Sequence, residues 1–104
     1  MARIVWSETA RRSLQGIVEY VARDSAAYAK SVALTLRHSV DRLQEFPLSG
    51  RVVPEDEAGR YREVIAGRYR VIYRVQQETV IIVAVVHGAR DLSPLLAGDV
   101  ERKP

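Results

Sequence analysis

Residues 60–86, RYREVIAGRYRVIYRVQQETVIIVAVV, decide the fold of this chain. β-branched and aromatic residues alternate here with charged ones, which is the two-residue period of strands that bury one face. The pattern predicts three strands, Arg60–Ile65, Arg68–Val75 and Thr79–Val86. The segments between them, Ala66-Gly67 and Gln76-Gln77-Glu78, are short enough to be hairpin turns. The three strands are therefore expected to form an antiparallel meander.

Two amphipathic helices are predicted upstream of the meander, after a short first strand at Ala2–Trp6. Ser7 is the expected N-cap of the first helix, and Ser25 is the expected N-cap of the second. The second helix is expected to continue for about 20 residues and to stop at Phe46-Pro47, because proline disfavours helix in the residue before it. Gly16 interrupts the first helix and suggests that another helix approaches closely there.

The element order predicts an α+β fold in which a helical hairpin packs on one face of a largely antiparallel sheet. At 104 residues the chain is one domain. We expect this domain to cover residues 1–92 and to be followed by a C-terminal tail, 93–104. Within the tail, Ser93-Pro94-Leu95-Leu96 has the cap and the proline that begin a helical turn.

Composition excludes several classes of protein. The chain has no cysteine, so it has neither disulfides nor cysteine-based metal or nucleophile chemistry. No apolar run approaches the roughly 20 residues that span a bilayer, and the N-terminus lacks a signal-peptide pattern. We therefore expect a cytoplasmic protein without membrane association. The net charge of +3 is compatible with nucleic-acid or acidic-protein partners and does not distinguish them.

Arginines are concentrated in residues 60–74, where five of them accompany a single acid, Glu63. On the central strand, Tyr69, Val71, Tyr73 and Val75 share the face expected to meet the helices, while Arg68, Arg70, Ile72 and Arg74 share the opposite face. Three interpretations stay open at this point: a solvated outer face, a docking surface for an acidic or amphipathic partner, and an RNA groove.

The last strand favours the docking surface. Residues 80–86, VIIVAVV, are apolar on both faces, so something has to cover the side away from the helices. The chain has little left to do so, and an apolar strip beside an arginine cluster indicates a protein partner. The predicted partner-binding residues are Arg60, Arg62, Arg68, Arg70, Ile72 and Arg74.

Catalytic machinery is not obvious. The two histidines, His38 and His87, have no metal-ligand spacing, and no glycine-rich phosphate loop is present, so neither a metal nor another cofactor is expected. His87 and Arg90 form the one place where an acid–base group stands beside a cation. The alternative is that His87 is a strand-end residue satisfied by local backbone.

Several blocks resemble the ParE/RelE superfamily of toxins, and they fall in the family's order over about residues 3–92. They are residues 6–20, then 43–51 (LQEFPLSGR), 62–64 (REV), 69–75 (YRVIYRV) and 85–91 (VVHGARD). The resemblance implies the toxin of a type II toxin–antitoxin pair, held by a ParD-like antitoxin. Such an antitoxin would supply the cover over the sheet and would bind the arginine-rich face.

The resemblance also implies two possible targets. ParE-like toxins poison DNA gyrase, whereas RelE-like toxins cleave mRNA in the ribosome and commonly use a tyrosine near the C-terminus. No tyrosine follows Tyr73 here, which favours the ParE branch, a gyrase inhibitor that is not an enzyme and does not itself bind specific DNA sequences. His87, Arg90 and Asp91 are then the expected target-binding residues. If the chain is instead a nuclease, the resemblance makes Arg70, His87 and Arg90 the catalytic candidates. A third alternative is an inactive homologue that only binds the antitoxin.

Overall fold

A computed structural model describes residues 1–97, which form one mixed five-stranded sheet with helices. The elements are β1 (Arg3–Trp6), α1 (Glu8–Ala22), α2 (Ala26–His38), a 3-10 turn (Asp41–Gln44), β2 (Arg51–Val52), β3 (Arg62–Ala66), β4 (Tyr69–Gln76), β5 (Thr79–His87) and α3 (Ser93–Ala97). The strand order is β1-β5-β4-β3-β2. β1 lies parallel to β5, and the other pairings are antiparallel.

The predicted helix starts are confirmed. The Ser7 hydroxyl accepts a hydrogen bond from the Ala10 amide, and the Ser25 hydroxyl accepts one from the Tyr28 amide, both at 3.0 Å. Each bond satisfies an amide that the first turn of a helix leaves without a backbone partner.

The predicted length of the second helix is wrong. α2 ends at His38, and a separate 3-10 turn follows. Val40 and Leu43 are nevertheless buried. Their spacing suits a continuing α-helix and a 3-10 turn equally well, so periodicity alone does not locate the break.

The predicted meander is confirmed as β3, β4 and β5, with β3 shifted to begin at Arg62. The sequence pattern did not show that β2 forms in the loop after Pro47, or that β1 joins the sheet in parallel. α1 and α2 carry the chain from β1 to β2 at the opposite edge of the sheet. The antiparallel strands β2, β3, β4 and β5 then lead back, so that β5 ends beside β1.

The last strand, which is apolar on both faces, contains a β-bulge. Ile72 pairs with Ala84 but the next residue, Tyr73, pairs with Ile82, so Val83 is an extra residue in β5. The bulge puts Val83 and Ala84 on the same face, away from the helices, whereas Ile82 faces them. Both faces of β5 are therefore buried.

The face away from the helices is covered by the chain itself. Ile72, Val83, Ala84 and Val86 pack there against Val53 and Tyr61 from the loop before β3, and against Leu92. Leu95 and Leu96 of α3 pack against the same cluster. The prediction that the chain has little left to cover this face is wrong, because the loop before β3 and the segment after β5 fold back over it.

Candidate functional site

Arg70 lies in a buried ion-pair network on the face of the sheet away from the helices. Its residue exposure is 5%. Its Nε donates to Glu63 at 2.6 Å, and its two terminal nitrogens donate to the two oxygens of Glu55 at 3.0 and 2.7 Å. The Glu63 side chain is completely buried and also accepts from Arg51. Two carboxylates thus neutralise and enclose one guanidinium group.

The same network connects three segments of the chain. Glu55 belongs to the loop before β3, and its carboxylate also accepts from the Leu92 amide at 3.1 Å. Arg70 donates to the Arg90 carbonyl at 3.2 Å. The hydrogen bonds from Arg70 are the main cause that lowers the pKa of Glu55 to about 2, since they favour the charged carboxylate. The network fixes the segment after β5 onto the sheet.

These contacts correct the predicted exposure of two partner-binding candidates. Arg70 and Ile72 are both buried, Ile72 within the second apolar cluster. Neither offers its side chain to a partner on this surface.

The five arginines also do not share one surface. Arg62 pairs with Tyr73 in the register, so it lies on the face that meets the helices, where it donates to the carbonyls of Leu48 and Gly50 at 3.2 and 2.8 Å. Arg60 stacks on the Tyr61 ring, with the guanidinium carbon 5.3 Å from the ring centroid.

Of the six predicted partner-binding residues, Arg60 and Arg68 are exposed and Arg74 is half-buried. Arg68 lies in the turn between β3 and β4, and Arg74 lies near the other end of β4. The prediction of one continuous arginine face is therefore wrong. Sequence alternation does not show which of these side chains form hydrogen bonds or ion pairs within the protein.

His87 is exposed at the end of β5. Its Nδ1 accepts from the Ala89 amide at 3.1 Å, and its ring packs edge-on against Tyr69, with centroids 5.9 Å apart. One of the two ring nitrogens of His87 therefore has a local backbone partner. His38 is likewise exposed, and its Nδ1 lies 3.1 Å from Asp41.

The other two predicted target-binding residues follow His87. The Arg90 side chain is exposed, while Asp91 accepts from the Ser93 amide at 3.0 Å at the start of α3. The structure therefore brings His87 and Arg90 together at one end of the sheet and gives Asp91 a local capping contact.

A groove of about 590 Å³ runs beside this end of the sheet, between α1 and β5. We call it the α1–β5 groove. It is lined by Thr9, Arg12, Ser13, Gly16, Ile17 and Tyr20 of α1, by residues 84–87 of β5, and by Tyr69, Arg90 and Leu95. Sequence reasoning missed this groove. Its one signal was Gly16, and the predicted helix contact there is wrong, because a Cβ at Gly16 would have no neighbour within 4 Å in the described part of the chain.

Residues 1–97 contain no cluster of three histidine, aspartate or glutamate side chains that could hold a metal ion. Across the same residues, none of the helices has the length and apolar character needed to cross a membrane. The candidate site comprises the buried network around Arg70, the exposed residues His87 and Arg90, and the α1–β5 groove.

Comparison with known proteins identifies the family. The family described as "ParE toxin of type II toxin-antitoxin system, parDE" matches residues 4–92. Toxin RelE2 of Caulobacter vibrioides is 34% identical over 91 residues, which cover 86% of this chain and 99% of that protein.

Two solved structures share the fold. The chromosomal ParDE toxin–antitoxin system from P. aeruginosa superposes with a TM-score of 0.71 at 20% identity, over 84% of this chain and 96% of the other. The toxin–antitoxin complex RelBE2 from Mycobacterium tuberculosis superposes with a TM-score of 0.59 at 24% identity, over 83% and 96%. The chain belongs to the ParE toxin family of type II toxin–antitoxin systems, within the ParE/RelE superfamily.

Proposed function

We propose that this toxin is neutralised by a ParD-like antitoxin and that, when free, it inhibits DNA gyrase in the cytoplasm without being an enzyme. The observation that supports gyrase over the ribosome as the target is that Arg70 is buried and ion-paired. A ribonuclease needs a cation free to bind the scissile phosphate, and Arg70 is instead enclosed by Glu55 and Glu63. Glu63, whose side chain is fully buried, and Glu55, whose side chain is 18% exposed, engage all three guanidinium nitrogens and neutralise the charge that a phosphate would need.

The remaining nuclease candidates are His87 and Arg90. Both are exposed, but His87 already uses Nδ1 to accept a hydrogen bond from Ala89. General acid–base cleavage of RNA needs one group to remove a proton and another to donate one. Of the three nuclease candidates, two are arginines, which stay protonated in proteins and act as neither base nor acid, so His87 alone among them can exchange a proton. This supports inhibition by binding over catalysis.

The direct test compares the two targets in vitro. Purified toxin is added to gyrase with supercoiled plasmid, and separately to a reconstituted translation reaction in which mRNA cleavage is mapped. We expect cleaved plasmid to accumulate on gyrase while the mRNA remains intact. Cleavage of mRNA on the ribosome, abolished by His87→Ala or Arg90→Ala, would support the RelE-like alternative. Inactivity in both assays, together with harmless expression in cells, would support the inactive homologue.

Antitoxin dependence is tested by coexpression. We expect growth arrest when the toxin is expressed alone and recovery when the antitoxin gene is expressed with it. Charge reversal at Arg60, Arg68 and Arg74 tests whether these predicted residues contact the antitoxin, since losing desolvated charge pairs at an interface slows association and weakens the complex. Arg70 is not a suitable position for this test, because its substitution disrupts a buried network.

A further inference from the structure

A pocket of about 360 Å³ opens between β1 and the two long helices. It is lined by Trp6, Arg11, Leu14 and Arg37, and we call it the Trp6 pocket. It shares none of these residues with the α1–β5 groove. Its volume lies at the lower end of the roughly 300–1,000 Å³ that small-ligand sites occupy. The pocket therefore has room for one small molecule or for one unit of a polymer.

Trp6 and Leu14 provide the apolar part of the pocket. Trp6 is the last residue of β1, and Leu14 is a buried residue of α1. The Trp6 side chain packs against the main apolar cluster, yet the residue remains partly exposed, so the protein covers only part of the indole. An indole that is supported on one side and open on the other is a surface on which another planar ring can stack.

Two arginines provide the charge of the pocket. Arg37 lies near the end of α2, is exposed, and makes no hydrogen bond or ion pair with any other of residues 1–97. Arg11 is oriented by two contacts, since its Nη1 donates to the Trp6 carbonyl at 2.8 Å and its Nη2 donates to Glu8 at 3.2 Å. A guanidinium group has five N–H donors, so both arginines retain donors for a ligand.

The charge around the pocket is positive on balance. Glu8 is not one of the lining residues, and its carboxylate is shared between Arg11 and Arg12. The hydrogen bonds from these two arginines are the main cause that lowers the pKa of Glu8, which therefore stays ionised and paired. Arg11, Arg12 and Arg37 thus accompany one carboxylate. None of the lining side chains gains or loses a proton near neutral pH, so the pocket suits binding of an anion and not acid–base cleavage.

We infer that the Trp6 pocket binds a nucleoside phosphate, either free or as one unpaired unit of a nucleic acid strand. The base stacks on the exposed part of the Trp6 ring, and the phosphate accepts hydrogen bonds from Arg37 and Arg11. The planar guanidinium fork matches a phosphate, to which it donates two parallel hydrogen bonds. A nucleotide carries its planar ring and its anion in one unit, whereas a peptide places them on separate residues. This binding is independent of gyrase inhibition.

The first test uses Trp6 as its own reporter, because it is the single tryptophan of the chain. Full-length toxin is titrated with adenosine monophosphate, with adenosine, and with the acidic aromatic peptide acetyl-Glu-Phe-Glu-amide, while tryptophan fluorescence is followed. Free N-acetyltryptophanamide corrects for light absorbed by the ligand. We expect saturable quenching by adenosine monophosphate and at least tenfold weaker binding of the other two ligands. Absence of saturable quenching by the monophosphate, equal binding of adenosine, or tighter binding of the peptide would refute the inference.

Two further ligands distinguish the sources of the nucleoside phosphate. They are a short single strand of deoxyadenosine units and the same strand annealed to its complement. Tighter binding of the single strand than of the monophosphate would identify an unpaired strand, and equal binding per unit would identify a free nucleotide; both results support the pocket. Tighter binding of the duplex than of the single strand would contradict stacking on Trp6, because paired bases are already stacked on one another.

The second test changes one charge of the pocket. Arg37→Glu reverses a charge that has no partner among residues 1–97. Lys30→Glu is the matched control, since it makes the same change of net charge at an exposed position of α2 outside the pocket. We expect Arg37→Glu to weaken binding of adenosine monophosphate at least tenfold and Lys30→Glu to leave it within twofold. Equal affinities for the two variants would show attraction by net charge alone and would overturn the assignment of the pocket.

Discussion

Replacing Arg70 with methionine tests whether the buried network stabilises the fold. Methionine retains most of the volume but removes the charge, so Glu63, with a fully buried side chain, loses its buried guanidinium partner. Removing one partner of a buried ion pair costs about 3–5 kcal/mol. Arg51 remains paired with Glu63, but its side chain is 61% exposed, so it compensates only in part. We expect Arg70→Met to lower the free energy of unfolding by about 3 kcal/mol, at the lower end of that range.

The measurement is urea unfolding followed by the fluorescence of Trp6, the single tryptophan of the chain. Arg68→Met is the matched control, because Arg68 is exposed two residues away, and its substitution should change stability by less than about 0.5 kcal/mol. The double variant that combines Glu63→Leu with Arg70→Met also removes the unpaired Glu63 carboxylate. It should recover at least half of the free energy of unfolding that Arg70→Met loses. The reasoning is refuted if Arg70→Met costs no more than Arg68→Met, or if the double variant is less stable than Arg70→Met.

Three further predictions concern the same region. First, the pKa of Glu55 is lowered from 4.5 to about 2 in the folded state, so its contribution to stability is complete above about pH 4.5 and is lost as the pH falls toward 2. The shift corresponds to at most about 3 kcal/mol, reduced by solvent screening to about 1–2, and Glu55→Gln should flatten acid unfolding curves over this window. Second, Tyr73→Phe removes a buried hydroxyl that donates to the Pro47 carbonyl at 2.7 Å and accepts from the Gly50 amide at 2.9 Å. It should cost about 1–3 kcal/mol in urea unfolding. Third, Gly50→Ala should cost about 1–3 kcal/mol, because the new Cβ would lie 2.6 Å from both the Glu63 carbonyl oxygen and the Tyr73 hydroxyl; an unchanged urea midpoint would contradict it.

The sequence predicted those elements that have a strong local signal. Ser7 and Ser25 mark helix starts because their hydroxyls accept from amides three residues ahead, which is a purely local interaction. The hairpins were equally clear, since short turns fix antiparallel neighbours. The parallel pairing of β1 with β5 joins strands at opposite ends of the domain, and no local pattern encodes it.

The site was harder to predict, because an arginine in an alternating strand pattern can be either exposed to solvent or buried in an ion pair, and the pattern does not distinguish the two. The alternation of β4 correctly put Arg70 on the face away from the helices. It did not show that Glu55, from an irregular loop, folds over that face to bind it. The acidic residues 55–57 were the one sign in the sequence of a partner for Arg70. Whether they lie close to Arg70 in space depends on the tertiary structure, which the sequence pattern does not show. His87 and Arg90 were brought together as expected, because they are neighbours in sequence.

The position of β1 beside β5 affects when the protein can fold during synthesis. β1 is made before the other four strands, yet it has no neighbour in the sheet until residues 79–82 have left the ribosome. Pairing between strands far apart in sequence delays folding, because the entropy of closing the long loop is lost before the stabilising contacts form. A nascent chain that stops before residue 79 lacks β5, the strand that joins β1 to the rest of the sheet, and cannot assemble the groove beside α1. Toxicity should therefore arise only after β5 has been synthesised.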